Sequence, residues 1–119
     1  MPRFSAADLR RLGQDLFARV GVPTDEAALV ADHMVESGLL GHDSHSVLRF
    51  PQYTDMVRSG KVVPGAPLEI LHEHDSVVQV NGNWNYGPVT ATRATELAIE
   101  RVKDRAMSIV TVRGCNHVA

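Results

Sequence analysis

The sequence predicts a mixed α/β fold, in which N-terminal helices are followed by strand, strand, helix and strand. Two observations predict it. Apolar residues in the first half recur at helical spacing, and short β-branched runs in the second half flank one further helical pattern. With 119 residues, of which 44% are hydrophobic, the chain is long enough to bury a core, and we expect a single domain.

Composition excludes several classes of partner. The formal charge is −2, and the basic residues are spread along the chain, which argues against nucleic-acid binding. No apolar run approaches the length of a membrane span, and the N-terminus lacks the apolar core of a signal peptide. A single cysteine, Cys115, fits a reducing compartment. We therefore expect a cytoplasmic protein that binds neither membranes nor nucleic acid.

Two helices are predicted at the N-terminus. Ser5 has the position of an N-cap, and Gly21 follows the last apolar residue of the first pattern. Thr24 is predicted to cap the second helix, which ends at Gly38 or Gly41.

A third helix, ending at Gly60, contains Pro51 within its apolar pattern. Because proline removes a backbone donor and restricts the residue before it, the helix either starts near Pro51 or starts a turn earlier and kinks. Ser44 and Ser46 both offer N-cap chemistry, which favours the earlier start.

The second half predicts two short strands, Leu68–His72 and Ser76–Val80, around an acidic turn. A helix follows from about Pro88 to Arg105, since proline suits a first helical turn. The continuous run MSIVTV at 107–112 is typical of a buried strand.

Metal binding is not expected. His42 and His45 are three positions apart, and His72 and His74 are two apart, but the sole cysteine is remote and no recognised ligand spacing occurs. Gly82 and Gly87 have P-loop spacing without the lysine and hydroxyl residue that a phosphate site requires, and no G-x-G-x-x-G is present.

The stretch GHDSHSVLRF at 41–50 concentrates polar, proton-carrying side chains. If it is helical, His45 and Arg49 share one face, with Tyr53 a turn further on. Arginine binds carboxylates bidentately and histidine carries a proton near neutral pH, which are the two roles that 2-hydroxy acid oxidation needs. Alternatively, His45 caps a turn, Arg49 pairs with an acid and Tyr53 packs in the core. Spacing alone favours this structural interpretation.

His117 lies just after the last predicted strand, where α/β proteins often place functional residues, and Asn116 is positioned to orient it. By itself this placement is weak evidence for a site.

Three separated segments resemble one family. SHSVLRFPQY at 44–53 is similar to the S-H-G-x-x-R-x-P-x-Y signature of the malate/L-lactate dehydrogenase family that is not of the Rossmann type. The segment from Val80 to Val118 resembles that family's D-G-x-x-x-x-G segment, its helix and strand, and its N-H-x-G loop. The resemblance covers almost the whole chain, in the correct order.

The resemblance implies the front part of a larger oxidoreductase fold, the N-terminal substrate and dimerisation segment at 1–119. Such enzymes transfer hydride between NAD or NADP and a small 2-hydroxy or 2-oxo acid, and are typically homodimers. By motif position, Ser44, His45 and His117 would be catalytic, and Arg49 and Tyr53 would bind the substrate. Which histidine moves the proton stays open.

The sequence also departs from the family pattern. Ser46 replaces a glycine, Asn81 replaces the usual aspartate, and Ala119 stands where glycine is usual. The resemblance covers only the first third of such an enzyme, so we expect the cofactor domain to be absent from this chain. The alternatives are therefore a segment of a dehydrogenase, a non-catalytic truncated module, or a split subunit whose partner chain supplies the cofactor domain.

Overall fold

The structure is a computed structural model that describes residues 1–118. They form two compact units, residues 1–65 and 66–118. Together they contain helices followed by a mixed sheet with one more helix, which confirms the predicted α/β class. Within these described residues, no helix has both the length and the apolar character needed to cross a membrane.

The first unit is helical. Its elements are α1 (Ala6–Arg19), α2 (Thr24–Leu39), two 3-10 turns (Asp43–His45 and Val47–Arg49) and α3 (Phe50–Arg58). α1 and α2 pack against each other, and Phe17 meets Phe50 edge to face with ring centroids 5.6 Å apart. The buried apolar side chains of this unit include Phe17, Val30, Met34, Phe50 and Val62.

The start of α1 is as predicted, whereas that of α2 is not. The Ser5 hydroxyl accepts a hydrogen bond from the Asp8 N–H at 3.1 Å and donates one to the Asp8 carboxylate at 2.6 Å. Thr24 does not cap α2, because it is already the first helical residue, and the cap position is held by Pro23 without a side-chain hydrogen bond.

The third helix starts near Pro51, so the favoured earlier start was wrong. α3 begins at Phe50 with Pro51 in its first turn, where the missing N–H has no helical partner to lose. Neither Ser44 nor Ser46 caps it. The Ser46 hydroxyl instead donates to the Asp43 carbonyl at 2.8 Å and closes the first 3-10 turn.

The second unit contains a three-stranded sheet and one helix. Its elements are β1 (Glu69–His74), β2 (Val77–Asn81), α4 (Gly87–Val102) and β3 (Ile109–Arg113). The strand order is β1-β2-β3, with β1 antiparallel and β3 parallel to β2. The strands predicted at Leu68–His72 and Ser76–Val80 are confirmed as β1 and β2, and each begins one residue later than predicted. α4 ends three residues before Arg105, its predicted end.

The prediction that the last strand is buried was wrong. β3 is an edge strand, and four of its five residues are exposed. The buried centre of this unit is formed by Val78 and Val80 of β2 with Tyr86 and Val89. A continuous β-branched run is typical of a buried strand, but burial depends on neighbouring strands that local sequence does not specify.

Candidate functional site

The polar stretch at 41–50 is not one helix, so His45 and Arg49 do not share a helical face. Two 3-10 turns are separated by Ser46, which is extended at φ −106° and ψ −151°. A different contact joins this stretch. Arg49 Nε donates to the Ser44 carbonyl at 2.7 Å, which holds the guanidinium against the turn that carries His45.

Ser44 and His45 form a hydrogen-bonded pair. Ser44 Oγ lies 2.9 Å from His45 Nδ1, and the direction of the bond depends on the imidazole tautomer. When Nδ1–H donates to the hydroxyl, Nε2 has a lone pair that accepts a proton. When the hydroxyl donates to Nδ1, Nε2–H is a donor. When the first tautomer accepts a proton at Nε2, the resulting imidazolium keeps its Nδ1–H, which still donates to Ser44, so the pair persists in both states that reversible proton transfer requires.

Arg49 is held by two hydrogen bonds within the same unit. Besides the Nε contact, Nη1 donates to Gln52 Oε1 at 2.6 Å. Within residues 1–118, Nη2 makes no hydrogen bond. The guanidinium is thus oriented and still has N–H groups on adjacent nitrogens for a planar acceptor such as a carboxylate.

Tyr53 is buried, with 7% of its surface exposed. Burial raises the pKa of its phenol, and the positive charge of Arg49 partly opposes that rise. Tyr53 therefore lies near Arg49, but most of its ring belongs to the core of the first unit. Any contact with a substrate would be limited to a small part of the side chain.

His117 is exposed and belongs to the second unit. The segment that carries it is fixed through Asn116, whose Nδ2 donates to the Trp84 carbonyl at 2.8 Å and to the Asn85 carbonyl at 3.2 Å. A Cβ at Gly87 would collide with the His117 backbone, so this segment lies directly against the start of α4. Asn116 thus fixes the backbone of this segment, and its role in orienting the His117 side chain stays a prediction.

Cys115, next to this loop, is a half-buried free cysteine. Burial raises the pKa of its thiol, with the Thr90 hydroxyl acting in the opposite direction. Its Sγ–H donates to the Asn116 carbonyl at 3.0 Å. The thiol therefore stays protonated near neutral pH and serves the loop structurally.

One cleft of the first unit, with a volume of about 220 Å³, borders the polar stretch without including the candidate residues. Asp43 and Ser46 lie on its wall, and the other walls are formed mainly by apolar side chains from α1 and α2. Ser44 is exposed, and His45 and Arg49 are half-buried. Gln52 was not among the site residues predicted from the sequence. Its position three residues after Arg49 was the signal that could have identified it as a partner of Arg49.

Residues 1–118 contain neither a metal-ligand cluster nor an open phosphate cradle at the turn between Gly82 and Gly87. Residues 1–118 contain no group of three or more metal-ligating side chains. Gly82 and Gly87 have no open cradle, because a Cβ at either position would meet the protein's own atoms in Thr90, Gly114 or His117. These glycines allow close packing of the chain on itself, and a phosphate would have no space there.

Comparisons with known proteins agree with this architecture. Residues 4–119 match the sequence profile of the family described as malate/L-lactate dehydrogenase. The chain is 34% identical over 115 residues to the L-sulfolactate dehydrogenase of Methanothermobacter thermautotrophicus, covering 97% of this chain and 34% of that protein. It is 30% identical over 116 residues to hydroxycarboxylate dehydrogenase B of Escherichia coli K12, covering 98% and 32%.

Solved structures show the same likeness. The malate dehydrogenase of Pyrococcus horikoshii OT3 superimposes with a TM-score of 0.93 at 32% identity, over 98% of this chain and 33% of that one. The sulfolactate dehydrogenase of Methanocaldococcus jannaschii superimposes with a TM-score of 0.90 at 31% identity, over 95% and 33%. The chain spans about a third of the length of the relatives it matches.

Proposed function

Since this chain belongs to the malate/L-lactate dehydrogenase family, as its motifs suggested, we propose that it supplies the substrate side of an NAD(P)-dependent oxidoreductase. The reaction is hydride transfer between nicotinamide and a small 2-hydroxy or 2-oxo acid of the malate or lactate type. The proposal is supported by two hydrogen bonds of Ser44, one from its hydroxyl to His45 and one from Arg49 to its carbonyl.

The chemistry divides between two side chains. Arg49 binds the substrate carboxylate through N–H groups that its bonds to Ser44 and Gln52 leave accessible. His45 Nε2 accepts the hydroxyl proton during oxidation and returns it during reduction, while Nδ1 bonds to Ser44. Tyr53 is proposed to border the carboxylate site beside Arg49. His117 is the alternative proton carrier, on a loop fixed by Asn116.

The nicotinamide group is the hydride donor or acceptor, and we propose that its dinucleotide site lies mostly outside the described residues. The proposal therefore includes a further subunit. This subunit is either a second copy, in a homodimer, or a partner chain that supplies the cofactor domain. The chain matches about a third of its relatives, which leaves room for such a domain elsewhere in the assembly.

The second candidate function is a non-catalytic truncated or split-subunit module that keeps the fold for binding or dimerisation. The burial of Tyr53 favours it, because a side chain that is 7% exposed contributes mainly to packing. The two functions differ in whether the isolated chain recognises a hydroxy acid carboxylate.

The test uses the 119-residue chain labelled with 15N and titrated with L-malate, L-lactate and glycolamide, which lacks a carboxylate. We expect the two acids, but not glycolamide, to shift the Arg49 Nε–H and His45 ring resonances. Arg49→Lys should weaken binding about tenfold or more, because lysine loses the bidentate geometry. The matched control is Arg58→Lys, since Arg58 pairs only locally with Asp55 on the exposed side of α3.

Equal shifts with glycolamide, or unchanged malate binding in Arg49→Lys, would remove Arg49 from the substrate site and favour the non-catalytic module. In a separate assay, the chain alone with oxaloacetate should not oxidise NADH. Activity there would show that the chain forms a cofactor site that its described residues do not reveal.

A further inference from the structure

Gln52 holds one nitrogen of the Arg49 guanidinium. Arg49 Nη1 donates to Gln52 Oε1 at 2.6 Å, while Nε donates to the Ser44 carbonyl at 2.7 Å. Because a guanidinium has donors only, the oxygen of the Gln52 amide must face Arg49, which determines the orientation of the amide. Two acceptors on two different nitrogens therefore fix the plane of the guanidinium.

Both of these acceptors are uncharged. Other arginines of the chain are bound by carboxylates, since Arg101 lies 2.7 Å from Glu73 and Arg58 lies 3.4 Å from Asp55. Among residues 1–118, Arg49 takes part in no ion pair, and its hydrogen bonds are made to a carbonyl and an amide. Its positive charge is therefore oriented without being compensated.

Position 52 would suit a carboxylate on grounds of stability. Gln52 lies in the first turn of α3, which has no acidic residue, whereas the first turns of α1 and α2 contain Asp8 and Asp25. A negative charge there is favoured by the helix macrodipole, and a glutamate would also form an ion pair with Arg49. The neutral amide is therefore less stabilising than a carboxylate, and it leaves the charge of Arg49 available.

We propose that Gln52 is a positioning residue that orients Arg49 for a substrate carboxylate without neutralising its charge. The inference rests on the substrate-binding role proposed for Arg49 above. An acid at position 52 would act as an internal counter-ion of Arg49. It would also repel the carboxylate of the substrate, because two negative groups would then compete for one guanidinium.

The test compares Gln52→Glu with Gln52→Leu in the 15N-labelled 119-residue chain, titrated with L-malate at about 0.1 M ionic strength. We expect Gln52→Glu to weaken malate binding about tenfold or more, because the new charge lies beside the carboxylate site. Gln52→Leu stays neutral but cannot accept the hydrogen bond from Arg49. It should weaken malate binding by about threefold, the scale of one lost hydrogen bond.

Melting temperatures distinguish this role from a structural one. Gln52 is exposed, and Gln52→Glu should keep or raise the melting temperature because the start of a helix favours a negative charge. Asp55, one turn further along, is already paired with Arg58, which limits its repulsion of the new carboxylate. Malate binding should therefore fall in a variant whose stability does not.

The control is Ser59→Glu, which adds the same charge at the other end of α3. This position lies about 15 Å from Arg49 along the helix axis, and charges that far apart are largely screened at this ionic strength. We expect Ser59→Glu to change malate binding by less than about twofold.

Wild-type binding of malate that Gln52→Glu leaves unchanged would overturn this inference and leave the proposed function standing. Equal losses in Gln52→Glu and Ser59→Glu would reduce the effect to net charge and overturn it too. Weaker binding together with a lower melting temperature in Gln52→Glu would assign the loss to damage of α3, against the inference. A wild-type chain that binds no malate would overturn the proposed function, and this inference with it.

Discussion

At the scale of single residues, Gly13 shows that a glycine in mid-helix can be required by packing. A Cβ at Gly13 would stand 2.7 Å from Phe50 Cζ and 2.8 Å from Ala31 Cβ. Glycine in a helix interior is normally less stable than alanine by about 0.5–1 kcal/mol. Here the missing side chain allows α1 to approach α2 and Phe50 closely.

Gly13→Ala is therefore expected to destabilise the protein by about 1–3 kcal/mol, the usual range for overpacking. Urea unfolding followed by far-UV circular dichroism measures it. In a Phe50→Leu background the same substitution should be less harmful, because the nearest obstructing atom belongs to the Phe50 ring. A stabilising effect of Gly13→Ala in the wild-type background would contradict the close-packing account.

The candidate site was also predicted at this scale, with a partly incorrect geometry. Sequence reasoning grouped His45 and Arg49 because four positions make one helical turn. The chain instead turns twice as 3-10 helix around an extended Ser46, and Arg49 reaches back to the Ser44 carbonyl. That contact depends on the whole path of the loop, which spacing does not reveal. The catalytic and binding roles remain predictions.

At the scale of elements, the ion pair between Arg101 and Glu73 ties the end of α4 to β1. The Arg101 hydrogen bond lowers the pKa of Glu73 below its ordinary value of 4.5. A carboxyl with a lowered pKa in the folded state adds stability above its unfolded pKa. That stability is lost as the pH falls through the folded pKa.

Glu73→Gln should therefore lower the melting temperature at pH 7, with the deficit shrinking below pH 4.5 as the wild-type carboxyl becomes protonated. Thermal unfolding across pH 3–8 measures it. The control is Glu100→Gln, because Glu100 pairs with Lys103 at the C-terminal end of α4 and both side chains are largely exposed. A Glu73→Gln deficit that is independent of pH would show that the loss is one of packing.

Element boundaries followed from the sequence where the local signal was strong. Periodicity located both N-terminal helices, and β-branched runs located the strands. The helix that contains Pro51 was predicted to start a turn too early. Pro51 lies in the first turn of α3, where it is tolerated without any preceding helical turn. The exposure of β3 could not be predicted, because it follows from the strand order and not from the residues of β3.

At the scale of the whole molecule, the chain belongs to the malate/L-lactate dehydrogenase family and shares the fold of that part of its members. The chain superimposes on dehydrogenase structures over about a third of their length. The proton and carboxylate chemistry proposed for His45 and Arg49 uses residues of this chain, whereas the site of the nicotinamide group is proposed to lie mostly outside the described residues. The absence of NADH oxidation by the isolated chain is the prediction at this scale.

The polar turn after β2 also contains a site of slow chemical modification, the deamidation of Asn81. Asn81 is followed by Gly82, and with no side chain on that glycine its backbone nitrogen can attack the asparagine amide, releasing ammonia. In the folded protein this nitrogen donates to the Arg113 carbonyl at 2.9 Å, and the Asn81 amide is bonded to Asn83 at both ends. The extent of deamidation at Asn81, measured by mass spectrometry, should therefore increase with the time during which β3 is separated from β2.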